Sequence, residues 1–124
     1  MDEYLSNVRA IIAKLKTGLT DGGKIVWVST TPVPVSYVGR NDSDVVARNA
    51  KMNALIDSGS LGPEVVRGAD LYQDTVDRCN RNATWVGYPQ TNDCMYLQNN
   101  GVHYSALGRR FTAISVAAHL MKYL

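Results

Sequence analysis

The 124-residue chain holds two histidines, and one stands where an imidazole does chemistry. His103 lies in Asn99-Asn100-Gly101-Val102-His103-Tyr104-Ser105, just ahead of the last helical pattern. A histidine in the loop at the mouth of an α/β sheet suits a general base, because its pKa lies near neutrality. The competing reading is a structural or solvent-facing ring. His119 sits inside the last helix, four residues before Tyr123, and reads as an ordinary helix-surface histidine.

Cys79 and Cys94 are the only cysteines. Their spacing is too wide for a Cys-x-x-Cys site, and neither has a histidine at metal-ligand distance along the chain. A disulfide is expected over two free thiols. Closing a loop of about 15 residues contributes about 3 kcal/mol in the chain-entropy model. It would pin the long segment that leads to His103, and it implies an oxidising compartment, hence a secreted or extracytoplasmic protein. Trp85, Tyr88, Tyr96 and Tyr104 gather around this segment. They suit an acyl or sugar pocket, or simply the packing of a loop over the core.

These residues need elements to hold them. Leu5, Val8, Ile12, Leu15 and Leu19 recur at steps of three and four, which predicts a first helix with one apolar face. Asp21-Gly22-Gly23 ends it. Lys24-Ile25-Val26-Trp27-Val28-Ser29 reads as a strand covered on both faces, the pattern of a parallel sheet. Thr30-Thr31-Pro32-Val33-Pro34 takes the chain out of the sheet, since proline cannot donate to a ladder. Ser43 or Asp44 is expected to cap a second helix with Val45, Met52, Leu55 and Ile56 inside. A weaker strand spans residues 64–69, and Asp70 caps a short helix. Residues 79–100 are irregular. The last helix, capped by Ser105, is expected to turn Leu107, Phe111, Ile114, Ala118 and Met121 inward. The order reads αβαβα with a long loop before the final helix, an α/β chain of three layers.

Composition narrows the function classes. Lys and Arg number 13 against 11 Asp and Glu, a net charge of +2 that argues against a nucleic-acid binder. No apolar run approaches the ~18 residues of a membrane span. Met1-Asp2-Glu3-Tyr4 lacks the apolar core of a signal peptide, so none is expected in this chain. No metal or nucleotide motif stands out, and no cofactor is expected. Two glycosylation sequons, Asn41-Asp42-Ser43 and Asn82-Ala83-Thr84, are no more than chance supplies.

The stretch Asn100-Gly101-Val102-His103-Tyr104-Ser105-Ala106-Leu107-Gly108 resembles the last motif of the SGNH (GDSL-type) ester hydrolases, in which Asp-x-x-His precedes the C-terminal helix. Lys24-Ile25-Val26-Trp27-Val28-Ser29-Thr30-Thr31-Pro32-Val33-Pro34 resembles that family's fourth strand and its Thr-x-Pro-like end. Arg48-Asn49-Ala50 and Asp70-Leu71-Tyr72 fit the helices between and after. The resemblance covers nearly the whole chain but only the C-terminal half of the family domain. It implies one partial domain over residues 1–124, the C-terminal half of a three-layer α/β/α, flavodoxin-like fold. It further implies a serine ester (O-acyl) hydrolase with His103 as base, Asn100 at the orienting position, and Thr31, Pro32 and Val33 bordering the cleft. The substrate would be a small ester or an acylated carbohydrate.

The sequence departs from that pattern twice. Position 100 is Asn, whose oxygen can orient an imidazole but cannot supply the charge that stabilises an imidazolium. No Gly-Asp-Ser block occurs. Ser43 in Asn41-Asp42-Ser43 reads as a helix cap, and Gly39-Arg40-Asn41-Asp42, a literal Gly-x-Asn-Asp, falls after the strand it should precede and reads as a turn. The isolated chain is therefore expected to be inactive on esters. Three accounts follow. It is a half-enzyme completed by a partner chain or a second copy, which would also cover an open sheet edge. It is a non-catalytic SGNH-derived binding module. Or a Gly-Asp-Ser segment is encoded upstream of Met1.

Overall fold

The computed structural model describes residues 1–33, 39, 41–80 and 103–124. It is a mixed α/β structure, mostly helical, around a small parallel sheet. Helix α1 (Asp2–Lys16) carries Asp2 and Glu3 in its first turn and Lys14 and Lys16 in its last, each sign matched to the helix dipole. It buries Val8 and Ile12, one turn apart. Leu15 was expected on the same face and is instead exposed. The next position on the stripe is Lys16, one turn beyond Ile12, which pairs with Glu64 at 2.9 Å.

Strand β1 (Ile25–Trp27) and strand β2 (Val65–Arg67) pair in parallel, with Ile25 opposite Val65, Val26 opposite Val66 and Trp27 opposite Arg67. Both are shorter than the spans expected for them, residues 24–29 and 64–69. Side chains alternate along a strand, so Ile25, Trp27 and Val65 share one face. Helix α2 (Asp42–Asp57) and α1 both pack there: Val8, Ile12, Met52, Leu61 and Val65 form the core, flanked by Tyr4, Ile25, Trp27, Leu55 and Ile56. Among the described residues β1 has no other strand neighbour. At β2's far side the Tyr123 hydroxyl donates a long 3.4 Å bond to the Arg67 carbonyl.

The ends of α2 are set by local chemistry. Asn41 is the N-cap, its side-chain oxygen accepting from the Ser43 N–H. This corrects the expected cap at Ser43 or Asp44. At the other end Gly59 takes a φ of 69°, Gly59 N–H bonds to Ile56 and Ser60 N–H to Leu55, the paired bonds of a Schellman turn.

Helix α3 (Leu71–Asn80) buries Leu71, Thr75 and Cys79 at four-residue steps. Asp70 caps it, accepting from the Gln73 N–H at 3.1 Å. Helix α4 (Ala106–Leu120) is capped by Ser105, which accepts from the Gly108 N–H. Its inner face is rotated from the expected one. Gly108, Phe111 and Thr112 are buried, while Leu107, Ile114 and Met121 are 45%, 64% and 68% exposed. The reason is contact with α3: Phe111 lies under the Arg78 guanidinium at 4.4 Å, and the Ser115 hydroxyl donates to Asp74 at 2.7 Å. A 3₁₀ turn, Met121–Tyr123, follows. No described helix is long and apolar enough to cross a membrane.

Candidate functional site

The C-terminal ends of parallel strands are where open α/β sheets hold ligands. Here that end is formed by Ser29 after β1 and by Ala69-Asp70 after β2, still joined by the Ser29 N–H to Ala69 carbonyl bond at 3.2 Å. The buried Ser29 hydroxyl donates to Asp70 Oδ1 at 2.8 Å and accepts from the Tyr72 N–H at 3.0 Å. Ser29 thus ties β1 to the start of α3. With its hydrogen given to a carboxylate, it is built for structure.

Next along the chain, Asn49 grips Thr30 at two points. Its oxygen accepts from the Thr30 N–H at 2.9 Å, and its amide donates to the Thr30 carbonyl at 2.8 Å. Thr31 is half-buried, and Pro32 and Val33 are buried. The Val33 N–H donates to Asp42 Oδ1 at 3.0 Å, while the Tyr72 hydroxyl donates to Asp42 Oδ2 at 2.8 Å. Bonds to a carboxylate are the stronger kind, so Asp42 fixes where the Thr-Pro-Val segment leaves the sheet. Gly39 has a φ of 89°, and Asn41 is a helix cap, so the Gly-x-Asn-Asp string is a turn leading into a helix. Ser43 is exposed in the first turn of α2.

His103 is exposed on a bend and makes no hydrogen bond among the described residues. Its neighbour Tyr104 is well anchored. The fully buried Thr75 hydroxyl donates to the Leu71 carbonyl at 2.6 Å. A hydroxyl has one hydrogen, so in the 2.6 Å contact between Tyr104 and Thr75 the phenol is the donor. The Tyr104 ring meets Phe111 edge-on, with centroids 5.8 Å apart. Burial pushes the Tyr104 phenol above its ordinary pKa. The Thr75 hydroxyl opposes this, since it can turn to solvate a phenolate, and the Asp74 charge adds to the rise.

Tyr72 and Thr75 lie three residues apart on α3, hence on neighbouring positions of its surface. One holds Asp42 and through it the Thr31-Pro32-Val33 segment. The other holds Tyr104 and the backbone beside His103. A single turn of α3 therefore carries both of the regions read as functional. Asn100, Cys94 and the aromatic residues Trp85, Tyr88 and Tyr96 lie outside the described residues. Cys79 is buried on the inner face of α3.

Sequence reasoning quoted Asp42, Asn49 and Tyr72 within motif strings without giving them their tethering roles, and it missed Thr75. The signal that could have found Thr75 is its four-residue spacing from Leu71 and Cys79, which puts it on the buried face of α3. His119 also differs from its expected surface role: it is half-buried, with Nδ1 2.9 Å from the Ser115 carbonyl. Comparison with protein-family models, curated proteins and solved structures finds no match to this chain.

Proposed function

We propose that this chain carries the general-base side of an SGNH-type ester (O-acyl) hydrolase. In this reading His103 takes the proton from a serine hydroxyl and returns it to the departing alkoxide. Asn100 turns the imidazole through its side-chain oxygen, and Thr31, Pro32 and Val33 border the cleft. The nucleophile and the oxyanion donors come from a Gly-Asp-Ser segment outside these 124 residues, in a partner chain or elsewhere in a longer polypeptide. That segment would complete a three-layer, flavodoxin-like sheet along the open side of β1. A Cys79–Cys94 disulfide would hold the loop before His103 and belong to an oxidising compartment. The substrate is a small ester or an acylated carbohydrate, and the step needs no cofactor.

The supporting observation is that one turn of α3 anchors both the Thr31-Pro32-Val33 segment, through Tyr72 and Asp42, and the Tyr104 ring beside His103. The test is p-nitrophenyl acetate hydrolysis by the chain alone and by the complex it forms in its native source. The chain alone should be inactive. The complex should turn over and lose activity in His103→Ala while native mass spectrometry still reports the assembly. An active complex indifferent to His103→Ala defeats the proposal.

A second reading, a non-catalytic binding module of the same descent, draws on His103 having no partner among the described residues. It predicts saturable binding of an acylated sugar with no hydrolysis in any assembly.

A further inference from the structure

A cavity of about 130 Å³ opens beside the strand ends, and His103 is not among its walls. Trp27, Ser29, Asn53, Arg67, Asp70 and His119 line it, drawn from β1, α2, β2, the start of α3 and α4. Counting the bonds already made shows what each wall still offers. Ser29 is committed to Asp70 and Tyr72. Asp70 Oδ1 takes two hydrogens, from Ser29 and Gln73, which leaves Oδ2 as an open acceptor. The His119 Nδ1 contact is to a carbonyl, which can only accept, so Nδ1 carries the hydrogen and Nε2 of the neutral ring presents a lone pair. Asn53 is half-buried with no bond among the described residues, leaving both amide donor and amide acceptor. Arg67 gives one Nη2 to Asp57 and keeps further N–H donors. Trp27 contributes an apolar aromatic wall.

Donors and acceptors are thus interleaved around a small space. An anion would meet the Asp70 carboxylate, and a cation would meet the Arg67 guanidinium. A purely apolar guest would strand the amide and the carboxylate without water. A hydroxyl group gives and takes hydrogen bonds at the same atom, so two adjacent ones match a wall that offers both donors and acceptors. The volume is that of about four waters at about 30 Å³ each, room for a small polyol or the hydroxyl edge of one sugar ring. We propose that this cavity binds a vicinal diol, between Asp70, Asn53 and His119 Nε2 on its polar side and Trp27 on its apolar side.

The chain has two tryptophans, so Trp85→Phe leaves Trp27 as the sole indole reporter. In that background glycerol and methyl glucoside are titrated separately, which tells a polyol from a sugar. Dimethoxyethane, which presents two vicinal oxygens without hydroxyl hydrogens, is the control. A saturable fluorescence change with a Kd of about 1 mM is expected for at least one diol and none for the ether. His119→Phe removes the Nε2 acceptor at similar ring size, and Asn53→Ala removes the amide. Each should weaken binding about tenfold with unchanged circular dichroism. Asp70→Asn keeps a good helix cap and should do the same. A linear, unsaturable response, an equal response to the ether, or unchanged affinity in both His119→Phe and Asn53→Ala overturns the proposal. The variants sit at separate elements, so loss of fold in one leaves the others decisive.

Discussion

Replacing Thr75 by Val tests whether Tyr104 is held as the geometry implies. Thr75 is 0% exposed, and its hydroxyl makes two 2.6 Å contacts, to the Leu71 carbonyl and to the Tyr104 phenol. Valine keeps the β-branched shape and replaces the oxygen by a methyl group. The lost phenol bond costs about 1 kcal/mol. The stranded phenol hydrogen adds about 1 kcal/mol, the low end of the range, because Tyr104 is only half-buried and water can reach it. Burying one more methyl returns about 0.5 kcal/mol. The expected net loss is about 1.5 kcal/mol. Tyr104→Phe alone should cost about 1 kcal/mol, since Thr75 keeps its bond to Leu71. The double variant removes both partners and should cost little more than Thr75→Val, for a coupling of about 1 kcal/mol. Urea unfolding followed by circular dichroism reads this directly if the transition is two-state. With a slope of about 1.5 kcal/mol per molar urea, Thr75→Val lowers the midpoint by about 1 M. Additive losses would refute the bond, and with it the claim that α3 fixes the backbone beside His103.

The other expectations rest on separate contacts. Asp42→Ala deletes the two bonds to Val33 and Tyr72 and should cost about 2–3 kcal/mol in urea unfolding; an unchanged midpoint would contradict the tether. Gly68→Ala would put a Cβ 2.7 Å from Val26 Cγ1 and 3.0 Å from the Trp27 carbonyl, so calorimetry should register a loss of about 2 kcal/mol. Met52→Ala empties a fully buried core position and should cost about 3 kcal/mol in the same assay. Alkaline stability carries a sign fixed by Tyr104. Its phenol is raised in the fold chiefly by burial, so its contribution is complete below the ordinary phenol value of about 10 and fades as pH climbs toward the folded value. Urea midpoints from pH 8 to 11 should fall less steeply in Tyr104→Phe, with the remaining slope belonging in part to Tyr4, also raised by burial against the opposing pull of Arg48.

Local signals carried much of the fold. Asp70 and Ser105 announce their helices because a cap acts over three residues, and Pro32 ends a strand by its own covalent structure. Choosing between neighbouring caps was beyond the pattern: Asn41 and Ser43 are both good caps, and the choice follows from Asp42 being drawn to Val33 and Tyr72. The inner face of α4 was misjudged for a related reason. Leu107, Ile114 and Met121 are the apolar stripe, yet the helix docks through Gly108, Phe111 and the Ser115–Asp74 bond, where small size and hydrogen bonding decide. The site was the least legible part. Asp42 and Tyr72 are 30 residues apart, and Thr75 and Tyr104 are 29, so no window along the sequence contains both partners. His103 stood out as a residue type at a loop; what holds the backbone beside it did not.

The two-point grip of Asn49 on Thr30 reaches beyond positioning. A carboxamide that takes up both the N–H and the carbonyl of one residue imitates a passing peptide unit. Thr30, three residues past the end of β1, thereby has both backbone groups occupied and offers neither to a further strand. Asn49, on α2, thus uses up the backbone hydrogen-bonding capacity at Thr30 from outside the sheet.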